Sequence, residues 1–201
     1  VISAFEQVLS ERGDAAALYI LGDFFEAWIG DDDDSELAAR VAASLRAYTD
    51  RGPRAYLMHG NRDFLIGEDF CSRSGATLLH DPATVTIQHR QLLLMHGDSL
   101  CTLDTEYQAF RAQARSPQWQ EQILALPLSQ RRELAAQLRT VSKDAGSRKA
   151  DDIMDVTESA VVEVLRAHNA CHMVHGHTHR PKVHDIEIDG QPGQRAVVGD
   201  W

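Results

Sequence analysis

The sequence predicts an α/β fold, because strand-length and helix-length patterns alternate along it. Four apolar runs of strand length each stop at a glycine accompanied by a polar residue; they are Ala17–Leu21, Arg54–Met58, Gln91–Met95 and Ala170–Val174. Helical patterns lie between several of these runs, over Ser35–Asp50, Gly67–Ser74 and Glu158–Ala167. Strands that alternate with helices are typical of α/β sheets, whose ligands gather at the carboxyl ends of the strands. The polar residues after these runs are therefore candidates for a functional site.

Two further stretches have the pattern of β-hairpins, so the predicted sheets are mixed and not purely parallel. The expected pairs are Thr84–Gln88 with Gln91–Met95 across His89-Arg90, and Val183–Ile188 with Arg195–Val198 across Asp189-Gly190. Short runs on either side of a turn sequence favour antiparallel pairing. A short amphipathic helix is predicted before the first strand, over Ser3–Glu11.

The stretch Thr105–Ala150 differs from the rest of the chain. Its pattern is helical, without a convincing strand, and is interrupted by Pro117 and Pro127. Eight basic and four acidic residues give it a charge of +4, whereas the whole chain carries −10. We interpret it as a helical cap inserted into a single domain that comprises residues 1–201.

The composition is that of an ordinary globular protein with an acidic balance. Hydrophobic residues make up 43% and charged residues 25% of the 201 residues, which disfavours extended disorder. The net charge of −10 argues against a nucleic-acid-binding protein, which usually presents a basic face. No run approaches the roughly 18 apolar residues of a membrane span. Cys71, Cys101 and Cys171 form no C-x-x-C pair and are expected to be reduced.

Four short motifs carry the residues that could do chemistry, and they are informative as an ordered set. They are Gly22-Asp23, Gly60-Asn61-Arg62-Asp63, His96-Gly97-Asp98 and His175-Gly176-His177-Thr178-His179. Each motif alone could be a turn, but each follows an apolar run. Imidazole, carboxylate and amide groups ligate divalent cations, and two cations about 3.5–4 Å apart can activate water and neutralise a phosphoryl group. Together the motifs indicate a metal-dependent phosphoesterase.

In this order the motifs resemble those of the calcineurin-like metallophosphoesterases, which read D-x-H, G-D, G-N-H-[DE], H and G-H-x-H. Longer stretches are similar to one branch, the UDP-2,3-diacylglucosamine pyrophosphohydrolases; they are Leu18–Asp33, His59–Leu65, Leu94–Cys101 and His175–Pro181. Arg62 is a distinguishing residue, because general members carry His there and this branch carries Arg. The resemblance implies an α/β sandwich of mixed sheets flanked by helices, with a helical cap insertion.

The resemblance also implies which residues form the site. The implied metal ligands are Asp23, Asn61, His96, His177 and His179, and Asp23 is expected to bridge two Mn²⁺ ions. The implied catalytic residues are Asp23, Asn61, Arg62 and His96. The implied substrate contacts are Asn61, Arg62, Asp104, Ser142, Lys149 and His177.

The resemblance further implies the reaction and its setting. The expected reaction is hydrolysis of UDP-2,3-diacylglucosamine to UMP and 2,3-diacylglucosamine 1-phosphate in lipid A biosynthesis. The expected location is cytoplasmic, peripheral on the inner membrane. Clustered arginines of the insertion (Arg111, Arg115, Arg131 and Arg132) could contact an anionic membrane surface or could form a solvated helix face, and Arg131 and Arg132 are the expected anchor.

The two ends of the chain depart from the family pattern. The family's D-x-H motif would fall shortly before Val1, and its further strands would follow Gly199-Asp200-Trp201. We therefore expect the domain to be truncated at both ends. The missing motif leaves open a binding module that has lost catalysis. A different nucleotide or phosphodiester substrate at the same site is the other alternative.

Several other residues have simpler interpretations. His59 and His175 precede glycines and are expected to support ligands instead of binding metal. Asp31–Asp34 lacks the ligand spacing of a calcium loop, so a solvated acidic loop is favoured. Trp28 and Phe24–Phe25 are expected to pack in the core.

Overall fold

The computed structural model describes residues 2–146, 149 and 153–199. The chain divides into two compact units, one comprising the residues up to His80 and the other beginning at Asp81. The predicted α/β class is confirmed, with sheets flanked by helices. That residues 1–201 form a single domain stays a prediction.

The first unit is built around a parallel sheet of three strands. Its elements in chain order are α1 (Ile2–Glu11), β1 (Ala17–Ile20), α2 (Glu36–Thr49), β2 (Arg54–Met58), α3 (Glu68–Ser74) and β3 (Ala76–Leu79). The strand order is β1-β2-β3, and both neighbouring pairs are parallel. Sequence analysis did not predict β3, a four-residue strand that begins directly after the left-handed Gly75 at the end of α3. So short an apolar run has no periodicity of its own, and only its pairing with β2 makes it a strand.

Helix α2 shows why the helices of this unit begin and end where the pattern predicts. The Ser35 side chain accepts a hydrogen bond from the backbone N–H of Ala38, which caps the helix. Leu45 and Tyr48 on one face are almost fully buried in a core shared with Leu57 and Phe70. The 3.6-residue periodicity of its apolar residues thus places one side of α2 in the core of the first unit.

The second unit is built around a mixed sheet of five strands. Its elements in chain order are β4 (Ala83–Ile87), β5 (Arg90–Met95), a 3₁₀ turn (Asp98–Leu100), α4 (Thr105–Ala114), α5 (Pro117–Leu124), α6 (Leu128–Gly146), α7 (Glu158–Ala167), β6 (His172–His175), β7 (Lys182–Ile188) and β8 (Gln191–Val197). The strand order is β4-β5-β6-β8-β7. Strands β5, β6 and β8 are parallel, and the outer strands are antiparallel to their neighbours. The predicted mixed sheet is therefore confirmed.

Both predicted hairpins are present, with two corrections to their bounds. The first turn is Gln88-His89 and not His89-Arg90, because both residues adopt positive φ, as a two-residue turn of type I′ requires. In the second hairpin, β8 begins at Gln191 instead of Arg195. Its start contains Pro192, which is paired on one side only, since β6 joins β8 from Gln194 onward. Proline is tolerated where a strand has a free edge.

The segment predicted as a helical insertion consists of the three helices α4, α5 and α6, joined by short turns; residues 147, 148 and 150 lie outside the description. Pro117 occupies the first turn of α5, where its missing N–H is not needed. One expectation was wrong: Arg131 is not a surface anchor, because only 4% of it is exposed and its Nε donates to the Leu126 carbonyl at 2.9 Å. The guanidinium stabilises the chain turn before α6 from inside.

Two other observations bear on the sequence predictions. Within the described residues, no helix is both long and apolar enough to cross a membrane. All three cysteines are free thiols, with Cys71 and Cys101 buried and Cys171 exposed.

Candidate functional site

Asp23 lies in the first unit at the carboxyl end of β1, in an unusual backbone conformation. Its φ is +53°, in the left-handed region, and the preceding Gly22 has a φ of +83°. A non-glycine residue in this region is uncommon and is found where the surrounding structure imposes it. The chain therefore turns sharply as it leaves β1.

Gly60, at the carboxyl end of β2, explains part of that constraint. A Cβ atom at Gly60 would overlap the Asp23 backbone nitrogen and carboxylate. Only glycine allows these two strand ends to approach so closely. The Gly-Asp and Gly-Asn motifs, predicted to lie at the carboxyl ends of strands, lie close together at the ends of the neighbouring strands β1 and β2.

Arg62 contacts Asp23 through both its backbone and its side chain. Its backbone N–H donates to Asp23 Oδ1 at 3.0 Å, and its Nε lies 3.4 Å from Asp23 Oδ2. Its Nη1 lies 3.2 Å from the exposed Glu26 carboxylate. The guanidinium is one-quarter exposed and the Asp23 side chain one-tenth. Asn61, between Gly60 and Arg62, is half-buried.

Asp63 received no role from sequence analysis, yet it is the most enclosed polar residue of this cluster. Its side chain is fully buried. Its carboxylate accepts hydrogen bonds from four backbone N–H groups, which belong to Asp23, Phe24, Phe25 and Gly60. The available signal was its position in Gly60-Asn61-Arg62-Asp63, an acidic residue directly after two predicted site residues.

The second unit brings two predicted ligands side by side. His96 follows β5 and is fully buried, and His177 follows β6. Their ring centroids are 5.1 Å apart, and the Tyr107 ring stacks on His177 with its centroid at 5.9 Å. His177 and His179 have φ values of +69° and +54°, so both adopt the left-handed region as Asp23 does.

His175 lies between His96 and His177 in sequence, and hydrogen bonds hold its ring; that it supports the ligands stays a prediction. Arg195 Nη1 donates to His175 Nε2 at 2.9 Å, so the Nδ1–H donates to the Gly176 carbonyl at 2.9 Å. Burial, together with the Arg195 charge, lowers the pKa of His175 to about 4. The ring is therefore neutral at pH 7. It also packs against Gly97, where an added Cβ atom would lie 2.8 Å from the His175 Nδ1.

Asp98 is a second buried carboxylate that sequence analysis quoted but left without a role. Its Oδ2 accepts from the Tyr107 hydroxyl at 2.6 Å and from Arg111 Nε at 2.8 Å. Arg115 Nη2 lies 3.7 Å from the same oxygen. Burial alone would raise the pKa of Asp98, but neighbouring His96 and Arg111 and the Tyr107 hydrogen bond outweigh it and lower the pKa to about 2. Asp98 is thus ionised and joins the 3₁₀ turn to α4.

The three substrate contacts predicted around the helical segment, Asp104, Ser142 and Lys149, occupy different surroundings. Lys149 Nζ donates to both carboxylate oxygens of Asp104, at 2.6 and 2.8 Å. Asp104 also caps α4 by accepting from the Tyr107 N–H. Ser142 is exposed on α6, and His179 is exposed after β6. The second unit therefore pairs Asp104 with Lys149, whereas Ser142 is open to solvent.

Asp31 corrects the interpretation of the acidic loop. Its Oδ1 accepts from the Gly67 N–H at 2.9 Å and from the Trp28 indole at 3.0 Å, and its Oδ2 accepts from the Phe70 N–H at 2.9 Å. The carboxylate therefore caps α3, which sequence analysis missed because the acceptor comes from a loop distant in sequence.

The predicted packing of Trp28 and Phe25 is confirmed, since 4% and 6% of these residues are exposed.

The donor chemistry of the predicted ligands fits a divalent cation. Asp23 in the first unit, and His96 and His177 in the second, each offer an oxygen or nitrogen atom that could ligate a metal ion. His96 and His177 are neighbours at two strand ends, and the Asp23 carboxylate is fixed by the Arg62 N–H. Carboxylate oxygens and imidazole nitrogens are common ligands of divalent transition metals.

Comparisons with known proteins give named relatives. No family model matches the chain. Proteins named UDP-2,3-diacylglucosamine hydrolase from Chromohalobacter salexigens and Marinobacter nauticus are each 58% identical to it, over 93% and 92% of this chain and 76% and 75% of their own lengths. The protein of that name from Azotobacter vinelandii is 49% identical over 100% of this chain and 84% of its own. The alignment with a solved structure, that of a protein of unknown function from Aquifex aeolicus, covers 87% of this chain and 65% of that one, at 17% identity and a TM-score of 0.40.

Proposed function

This chain belongs to the UDP-2,3-diacylglucosamine hydrolase family, and we propose that it hydrolyses the pyrophosphate bond of UDP-2,3-diacylglucosamine in lipid A biosynthesis. Water adds across that bond, and the products are UMP and 2,3-diacylglucosamine 1-phosphate. The observation that carries the proposal is the 58% identity over 93% of the chain to a relative of that name. The family resemblance predicted from the motifs is thereby confirmed.

We assign the metal ligands from the motif matches. They are Asp23, Asn61, His96, His177 and His179, and the metal is Mn²⁺, with two ions per site expected in the full-length protein. When bound, such a pair of cations supplies an activated water and neutralises charge on the phosphoryl group. The carboxylate, amide and imidazole groups present in this chain support the assignment.

Arg62 provides the positive charge that this chain itself brings to the phosphoryl group. Its guanidinium is one-quarter exposed and shares Glu26 and Asp23 as partners. Glu26 is three-quarters exposed and can turn into solvent, which frees Nη1 for a phosphate oxygen. A fixed donor aimed at the developing charge stabilises the transition state more than the ground state. Asn61, also assigned to catalysis, adds an amide N–H beside it.

The remaining substrate contacts are assigned to the second unit. His177, besides ligating metal, is held in place by the stacked Tyr107 ring. Asp104 and Lys149 offer a paired acceptor and donor, and Ser142 offers a hydroxyl. Such groups suit the hydroxyl and phosphate oxygens of a nucleotide sugar.

Release of UMP from UDP-2,3-diacylglucosamine tests the proposed function. We expect turnover with Mn²⁺, loss of turnover with EDTA, and no detectable turnover in Asp23→Ala. Asp34→Ala, which removes an exposed carboxylate from the same unit, serves as the control and should retain activity. Equal rates with and without EDTA would contradict a metal-dependent reaction. Comparable turnover of a cyclic nucleotide or of a UDP-sugar without acyl chains would favour a different substrate.

We further propose that the protein works in the cytoplasm as a peripheral protein of the inner membrane, in contact with anionic lipid. The support is the two acyl chains in the substrate named for the relatives, together with exposed apolar side chains. Leu124 and Val141, in the helical segment, are 43% and 64% exposed. Such residues gain free energy when they enter the headgroup region.

Flotation with vesicles of mixed zwitterionic and anionic lipid tests this membrane contact. We expect wild-type protein to float with the vesicles, and the double variant Leu124→Glu, Val141→Glu to float much less. Leu37→Glu is the matched control, since Leu37 is 52% exposed on α2 of the first unit. Equal flotation of all three proteins would contradict a contact through the helical segment.

A further inference from the structure

Asp63 is the feature of the first unit that the proposed chemistry leaves unused. Its side chain is fully buried. A buried carboxylate is costly unless hydrogen bonds compensate for the loss of water. Here four backbone N–H groups donate to the carboxylate and contribute that compensation.

The four donors come from two separate loops. Oδ2 accepts from Phe24 at 2.6 Å and from Phe25 at 3.4 Å. Oδ1 accepts from Gly60 at 2.7 Å and from Asp23 at 3.2 Å. A single side chain therefore joins the loop after β1 to the loop after β2.

Asp23 is held by this arrangement from both sides. Its N–H donates to Asp63, while its Oδ1 accepts from the Arg62 N–H, one residue before Asp63. Its left-handed φ of +53° is unfavourable for an aspartate in isolation, so the surroundings must impose it. The N–H groups of Asp23, Phe24 and Phe25 converge on Asp63 as the chain makes this turn.

We propose that Asp63 is a positioning residue that fixes the backbone of Asp23 and thereby presents the Asp23 carboxylate to metal. This inference rests on the proposed function, in which Asp23 is a metal ligand. Asp63 does not touch metal or substrate; it acts through the peptide groups of the two loops. Groups that orient metal ligands are worth about 10–100-fold in metal affinity when removed.

The substitution Asp63→Asn tests the proposal, because it keeps the size of the side chain and removes half of its acceptors. Each carboxylate oxygen accepts two N–H groups, so in either orientation the NH₂ group of the introduced amide faces two donors. Asp31→Asn is the matched control in the same unit. Asp31 also accepts backbone N–H groups, those of Gly67 and Phe70, but it caps α3 instead of holding Asp23.

Mn²⁺ binding by the full chain, measured by the EPR signal of free Mn²⁺, is the readout, with circular dichroism and thermal melting run in parallel. Both variants should melt at lower temperature than wild type. At a temperature where circular dichroism shows all three proteins folded, Asp63→Asn should bind Mn²⁺ about 10–100-fold more weakly. Asp31→Asn should bind it within about twofold of wild type, because the Asp31 carboxylate accepts from the N–H groups of Gly67 and Phe70 at the start of α3 and from none of the four N–H groups that Asp63 holds.

The possible outcomes separate this proposal from the proposed function. Unchanged Mn²⁺ affinity in Asp63→Asn, or equal weakening in both variants, overturns the positioning role and leaves the metal assignment intact. Wild-type protein that binds no Mn²⁺ overturns both. If Asp63→Asn fails to fold, Gly60→Ala takes its place. The added Cβ atom displaces Asp23 while the Asp63 carboxylate stays. Unchanged Mn²⁺ affinity in Gly60→Ala overturns the proposal.

Discussion

Asp63 in the first unit and Asp98 in the second are both fully buried carboxylates, but their partners differ in kind. Asp63 accepts from backbone N–H groups of two loops. Asp98 accepts from side chains of α4, namely the Tyr107 hydroxyl and the Arg111 guanidinium, with Arg115 close by. Each follows a predicted metal ligand in sequence by two residues, Asn61 in one case and His96 in the other.

The difference shows two ways of stabilising the surroundings of a ligand. Backbone donors define the path of the chain itself, so Asp63 sets the conformation of a loop. Charged side-chain donors join separate elements, so Asp98 fixes α4 to the turn after β5. The second arrangement depends on charge, and removal of one partner leaves the other buried and uncompensated.

Asp98→Asn should have the largest effect on stability. We expect the free energy of unfolding to fall by about 3 kcal/mol, because Arg111 and Arg115 lose their common counter-charge in a mostly buried position. Urea unfolding of wild type and variant measures the difference. A loss below about 1 kcal/mol, the range of surface ion pairs, would mean that the interactions of Asp98 with α4 contribute no more than a surface ion pair does.

The two arginines that face Asp98 should contribute unequally to the free energy of unfolding. Arg111→Gln should lower the free energy of unfolding by about 2 kcal/mol, since its Nε donates directly to Asp98 at 2.8 Å. Arg115→Gln should lower it by less than about 1 kcal/mol, because its nitrogen lies at 3.7 Å. The same urea titration applies. Equal losses would show that long-range charge matters here more than the direct hydrogen bond.

Thiol labelling measures the most local and the smallest of the expected effects of Asp63 and Asp98. Burial raises the pKa of Cys71 in the first unit to about 11 and that of Cys101 in the second unit to about 12, so neither should react at pH 8 unless its surroundings open. In a Cys171→Ser background, Asp63→Asn should raise the labelling rate of Cys71 roughly threefold or more, and Asp98→Asn that of Cys101.

Mass spectrometry of the labelled peptides distinguishes the two cysteines. If either variant accelerates both sites equally, the protein opens as one cooperative unit, and the local distinction between the two carboxylates fails.

Much of the fold was predictable because its patterns are local. Helix α2 coincides with the predicted Ser35–Asp50 once its two caps are excluded, and β2 agrees with the prediction at both ends. The strand β3 and the start of β8 were not predicted, since only pairing with neighbouring strands makes strands of residues whose own sequence has no strand pattern. The metal ligands were predicted from the family resemblance, and two of them, His96 and His177, lie side by side within the second unit.

The sequence by itself determined the family, the α/β class and the residue types of the site, because motif order and apolar periodicity are properties of the chain alone. Only the tertiary structure decided what the charged residues do. Arg131 belongs to a basic segment whose sequence favours a surface position, yet its side chain is buried. Asp31 belongs to an acidic stretch whose sequence favours a solvated loop, yet its carboxylate caps a helix. Asp63 and Asp98 each lie two residues after a predicted metal ligand, and nothing in the amino-acid sequence distinguishes their roles. The function of a charged side chain depends on which donors reach it, and long-range folding sets those distances.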